Sequence, residues 1–209
     1  MKPYQYIYYL IIVAGCIIGV KNWVKLGQAS RWSVGLLLIT LFSESMAMFI
    51  AKKTANNLWV YHIYIPVQFV LITQSYWAEL RLKNVRWLNL SFIIISAFLF
   101  LFFQKDKLPS YSITLACLLY IFLSLLFFKK LLNNVGDEPV FHYPLFWVSI
   151  GWLQYGIINI FAFNLFNYFI ENRFLALMPV FKNFRIGSNW LLYICYFISL
   201  ISNQAKLNK

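Results

Sequence analysis

Apolar residues in this chain gather into long runs separated by short polar stretches, and the runs match the ~20 residues a helix needs to cross a bilayer. Seven such runs are predicted as helices, over residues 4–20, 32–51, 58–77, 87–103, 110–128, 145–166 and 186–202. The turn 104–109 is so short that the fourth and fifth runs must be antiparallel neighbours. Both are dominated by Phe, Leu and Ile, which predicts that they face lipid. The connection 129–144 carries Asn133, Asn134, Gly136, Asp137, Glu138 and Pro139, a turn composition. The other long connection, 171–185, mixes Phe174, Leu175, Met178 and Phe181 with Arg173 and Lys182, which predicts a segment lying at the membrane interface. The expected fold is all-α, a single polytopic membrane domain over residues 1–209 built as a bundle of seven transmembrane helices.

Composition strengthens this reading. Of 209 residues 62% are hydrophobic and 11% charged, whereas soluble domains have roughly 45–50% and about 25%. The charge of +12, from 18 basic against 6 acidic residues, would suggest nucleic acid in a soluble protein. Here the bases flank apolar runs, where Lys and Arg snorkel to the headgroups, so the expected partner is the lipid bilayer and not nucleic acid. Val13, Ala14, Gly15 and Cys16 resemble the cleavage site of a lipoprotein signal. Cys16 is however followed by Ile17, Ile18, Gly19 and Val20 where a polar start is expected, so the first run is read as a membrane helix. Seven spans put the termini on opposite sides. Lys2, Lys52, Lys53, Lys105, Lys107, Arg173, Lys182 and Arg185 fall on the N-terminal side, and the remaining 10 of the 18 bases on the other. This excess leans towards an outside N-terminus and a cytoplasmic C-terminus in the plasma (inner) membrane.

One residue breaks the apolar pattern. Glu44 lies inside the second run, where a carboxylate costs roughly 2.5–3.5 kcal/mol on insertion scales and so normally faces a partner or a watery cavity. On antiparallel helices His62, Asn159 and Tyr193 fall on the same side of the midplane as Glu44, with Gln68 and Tyr155 near the midplane itself. Faces support the grouping. Thr40, Glu44 and Met48 follow at i, i+4, as do Gly151, Tyr155 and Asn159; Tyr61, Tyr64, Gln68 and Ser75 share a stripe, and Asn189, Tyr193 and Tyr196 another. The expected ligand-binding set is Glu44, His62, Gln68, Tyr155, Asn159 and Tyr193. Polar side chains between helices also serve simply as interhelical hydrogen bonds, each contributing about 0.6 kcal/mol. A glycine such as Gly151 equally serves close helix approach. Pro66 in the third run predicts a kink.

Other chemistries lack their residues. Cys16, Cys117 and Cys195 form no CxxC and have no histidine cluster, so neither a disulfide framework nor a metal site is expected. No lysine lies between Lys182 and Lys206 to carry a retinal Schiff base in the seventh run. His62 and His142 fall on opposite sides, which disfavours paired haem ligation. There is no GxSxG, HExxH or P-loop, and no cofactor is expected.

Together ESMAM, Asn56, Asn57 and HIYIP across the second and third runs, PLFWVSIGWLQYG in the sixth and NWLLYICY in the last resemble small seven-helix bacterial membrane proteins of unassigned role. That resemblance implies the fold and carries no catalytic roles. Lysoplasmalogenase-type membrane hydrolases, of similar size, would bring a paired acidic signature that is missing here. Two functions follow from the residues. The first is a polar pocket around Glu44 that binds a small or lipidic ligand for sensing or transport; as a sensor it would need a membrane or signalling partner protein, since short connections leave no room for an output domain. The second is a lipid-modifying enzyme with Glu44 as general base, assisted by His62 or a tyrosine.

Overall fold

The structure is a computed structural model describing residues 3–53, 57–103, 109–133, 139–171 and 178–207, with side chains over 6–53, 57–102, 109–133, 139–162 and 179–202. Among the described residues there are seven α-helices and no strand: α1 (Pro3–Lys21), α2 (Gln28–Lys53), α3 (Leu58–Leu80), α4 (Val85–Phe103), α5 (Ser110–Asn133), α6 (Pro144–Glu171) and α7 (Met178–Leu207). Each helix extends the corresponding apolar run by one to several residues. The largest extension is at α7. Its first two turns hold residues 178–185, expected as an interfacial segment, whereas here they continue directly into the apolar helix. Residues 172–177 of that segment lie outside the described residues.

Five helices, α2, α4, α5, α6 and α7, are long and apolar enough to cross a membrane. The described apolar part of α1 is shorter, at Tyr6–Lys21. Although 23 residues long, α3 is less apolar because it carries Tyr61, His62, Tyr64, Gln68, Thr73, Gln74, Ser75 and Tyr76. Its position explains this. Six helices close a ring in which α1 meets α2, α2 meets α3, α3 meets α5, α5 meets α6, α6 meets α7 and α7 returns to α1. Within that ring α3 turns Gln68 and Tyr76 inward, buries Thr73 against α4, and shows Trp59, Ile63, Val67 and Trp77 outward. The outward side chains of the other helices, among them Leu10, Phe42, Ile94, Leu118, Phe161 and Leu191, are apolar as well. Such a surface suits lipid and would be unusual on a soluble monomer.

The fourth and fifth helices differ from each other. As expected, α4 lies at the periphery, packed chiefly on α3. By contrast α5 belongs to the ring, with Ser112, Ala116, Tyr120 and Ser124 buried along one face. Their i, i+4 spacing is the signal that the abundance of Phe and Leu obscured, since small residues on a stripe let neighbouring backbones approach.

Polar pairs fix the register between helices. The Tyr76 hydroxyl shares a hydrogen bond of 2.9 Å with Ser124 on α5 and donates at 3.1 Å to Ser149 on α6. Thr73 donates to Asn89 Oδ1 on α4 at 2.5 Å, and Trp152 Nε1 donates to the Tyr196 hydroxyl at 2.6 Å. In hydrocarbon, water offers these groups no alternative, so they constrain which faces meet. α3 runs on through Pro66, whose ring nitrogen carries no hydrogen to donate within the helix. Gly151 marks the close approach of α6 to α7: a Cβ there would stand 3.0 Å from Leu192 Cδ1 and 3.1 Å from Cys195 Cβ.

Candidate functional site

The helices reverse in turn, so the starts of α1, α3, α5 and α7 lie at the same end of the bundle as the finishes of α2, α4 and α6. Glu44 and the polar side chains around it lie towards this end. On α2, Thr40 is buried and Glu44 half-buried one turn later. Tyr8 on α1 donates to Glu44 Oε1 at 3.5 Å, a long contact for a charge-assisted bond. Tyr61 of α3 and Arg185 of α7 line the cavity beside the carboxyl, and both favour its charged form. A carboxylate has about four acceptor positions, so these partners leave Glu44 able to receive further donors.

Below Glu44 the tyrosines form a linked wall. The Tyr64 hydroxyl shares a 2.8 Å hydrogen bond with Thr40 and accepts from Gln68 Nε2 at 3.1 Å. Tyr8 meets the Tyr193 ring edge-on, with centroids 5.2 Å apart. Tyr120 and Tyr155 come from α5 and α6, each packed against Trp152 at centroid distances of 4.4 and 5.2 Å. Together with Asn159, these groups enclose an inner chamber of about 210 Å³. Ile65, Ile113, Ala116, Cys117 and Leu192 supply its apolar wall, and Arg185 and Asn189 its upper rim.

Glu44, Gln68, Tyr155, Asn159 and Tyr193, five of the six side chains expected from the sequence, therefore line one cavity. His62 does not. It points away from the chamber and lays its ring on Phe100 of α4, with centroids 4.6 Å apart. On α3 the positions that face inward are Tyr61, Tyr64, Ile65 and Gln68, and His62 falls between them and the lipid side. Tyr8, Tyr120 and Arg185 complete the cavity but did not stand out in sequence. Tyr8 sits in an aromatic-rich helix start, where tyrosine reads as an interfacial anchor, and Arg185 reads as a span-end base.

Two buried polar atoms of the inner chamber stand without a partner among the described residues. Asn159 donates through Nδ2 to the Tyr155 carbonyl at 2.8 Å and to Ser188 Oγ at 3.5 Å, yet its Oδ1 has no partner among the described residues. The Tyr120 hydroxyl is equally unpartnered. Both residues are 1% exposed. A buried polar atom left in this state costs about 1–3 kcal/mol unless water or a ligand satisfies it. A second, more open chamber of about 380 Å³ lies above the first, sharing Tyr8, Glu44, Tyr61, Arg185 and Asn189 with it. The outer chamber adds Tyr9, Asn57, Lys182 and Trp190, and the Tyr9 hydroxyl is unpartnered too.

No group of three or more His, Cys, Asp or Glu side chains suited to a metal ion occurs among the described residues. The three cysteines are buried and free. What the site offers is a single carboxyl, a basic rim, amide acceptors and tyrosine hydroxyls inside a bundle. Comparison of the chain with family models, with curated proteins and with solved structures gives no match in any of the three.

Proposed function

We propose that this is a ligand-binding membrane bundle whose cavity around Glu44 recognises a small molecule or lipid headgroup, for sensing or transport. One observation carries the reading: polar side chains from six of the seven helices converge on a single chamber while unpartnered acceptors remain in its wall. Packing alone favours satisfied groups and filled space. In the plasma (inner) membrane, with the N-terminus outside and the C-terminus cytoplasmic, the outer chamber would open away from the cytoplasm. As a sensor the bundle would act through a membrane or signalling partner protein. The enzyme reading, with Glu44 as general base, would draw its assistant from Tyr8 or Tyr61, because His62 faces α4.

Filling the chamber tests the reading. Ala116 lines it and is 2% exposed, so Ala116→Phe should occupy the space a ligand needs. Protein purified in mild detergent is expected to release a small molecule or lipid, detected by mass spectrometry, at least tenfold more abundantly from the parent than from the variant. Size exclusion and circular dichroism check that the variant is folded, and Ala116→Leu, which adds less volume at the same close-packed position, is compared in the same way. Equal recovery from the parent and both variants, or no released species from any of them, would contradict the proposal. A product formed from a lipid extract by the parent alone would instead support the enzyme reading.

A further inference from the structure

The two chambers differ in charge, and that difference points to a class of ligand. Beneath the Arg185 rim that both chambers share, the inner chamber presents acceptors: the Glu44 carboxyl, the unpartnered Asn159 Oδ1 and tyrosine hydroxyls set among aromatic faces. The outer chamber adds Lys182 beside Arg185, so its rim carries two cations against the one carboxyl both chambers share. Because Arg185 already acts on Glu44, an occupant of a single sign is opposed by one of the two. A lone ammonium meets Arg185, and a lone anion meets Glu44.

We propose that the paired chambers take a zwitterion, with an N–H-bearing ammonium at Glu44 in the inner chamber and a phosphate or carboxylate at Lys182 and Arg185 in the outer one. This rests on the reading that the cavity binds a ligand. Aligned this way, the ligand opposes each protein charge with its own, gives a donor to acceptors that lack one, and sets its cationic end against tyrosine faces, where cations are attracted. Size fits the assignment. The inner chamber, at about 210 Å³, is smaller than the roughly 300–1,000 Å³ of a drug-sized ligand site, so it suits an aminoalkyl group of a few heavy atoms. The same chemistry occurs in free aminoalkyl phosphates and amino acids and in the headgroup of an aminophospholipid.

Full-length protein in maltoside micelles, titrated with phosphoethanolamine, β-alanine, ethanolamine and inorganic phosphate, tests the charge assignment through thermal stabilisation. In parallel, nanodiscs of mixed phosphatidylethanolamine and phosphatidylglycerol are used to measure which lipid is retained on extraction. The expected result is that a zwitterion binds at least tenfold more tightly than ethanolamine or phosphate alone. Glu44→Gln should reduce it to the level of phosphate, and Arg185→Gln to the level of ethanolamine, with circular dichroism unchanged. Binding of the free probes assigns a soluble ligand. Selective retention of phosphatidylethanolamine, lost in Glu44→Gln, assigns a lipid headgroup. If neither zwitterionic probe exceeds its charged halves and phosphatidylethanolamine is not retained in preference to phosphatidylglycerol, the proposal is overturned. Should Ala116→Phe still strip a bound species in that case, the binding reading stands and only the zwitterion fails.

Discussion

Replacing Trp152 with alanine is expected to lower stability by about 3 kcal/mol. Trp152 is 0% exposed, packs against both Tyr120 and Tyr155, and donates to Tyr196. In soluble cores a tryptophan truncation costs about 3–5 kcal/mol through lost transfer energy and the cavity left behind. In a bilayer the separated helices are already in an apolar medium, so little of the transfer term remains. The lost contacts, the cavity and an orphaned Tyr196 hydroxyl account for the effect, which therefore falls at the lower end. Trp152→Phe should keep most of the packing and lose the hydrogen bond, at about 1 kcal/mol. Unfolding of detergent-solubilised protein in increasing dodecyl sulfate, followed by helicity, measures both. Because Trp152 backs two tyrosines of the inner chamber, the alanine variant should also lose ligand before it loses helix content.

The second large effect is expected at Gly19. A Cβ there would stand 2.4 and 2.9 Å from the two γ-methyls of Val34 and 3.2 Å from its Cβ. Val34 is β-branched and 0% exposed, so it cannot turn its methyls aside. Gly19→Val must push α1 off α2, at about 2–3 kcal/mol for an overpacked contact. That shift would also move Tyr8, the donor from α1 to Glu44. Gly187→Ala is the control, since nothing lies within 4 Å of a Cβ at that position, and it should leave the melting temperature within about 1 °C of the parent. Equal effects at the two glycines would show that α1 does not pack as described.

The two glycines also show where the sequence is legible. Both sit in apolar helices and look alike as letters; only the neighbour across the interface separates them. Helix number and approximate ends follow from apolar runs because a bilayer imposes length and satisfied backbone on every span. Which faces turn inward is less legible. The stripe Ser112, Ala116, Tyr120 and Ser124 puts α5 into the ring, yet its intervening Phe and Leu resemble those of peripheral α4. Glu44, Gln68, Tyr155, Asn159 and Tyr193 fall at similar depth in the sequence and line one cavity, because alternating helices of similar length share a midplane. Depth does not distinguish His62 from Tyr61 or Tyr64, at the same level on α3, since it carries no information on rotation about the helix axis. Arg185 escaped for another reason: α7 begins at Met178, earlier than its apolar run, and this places a base expected in a connection within reach of a carboxyl in the bundle.

On the proposed function, Glu44 faces an occupied chamber. A crystal structure grown from a lipid mesophase, at a resolution where ordered small molecules are visible, tests it most directly. The expected result is density unaccounted for by side chains between Glu44, Tyr120 and Asn159, within hydrogen-bond distance of Asn159 Oδ1. A chamber closed by inward movement of the tyrosines, with Asn159 Oδ1 bonded to a neighbouring side chain and Glu44 turned to lipid, would contradict it.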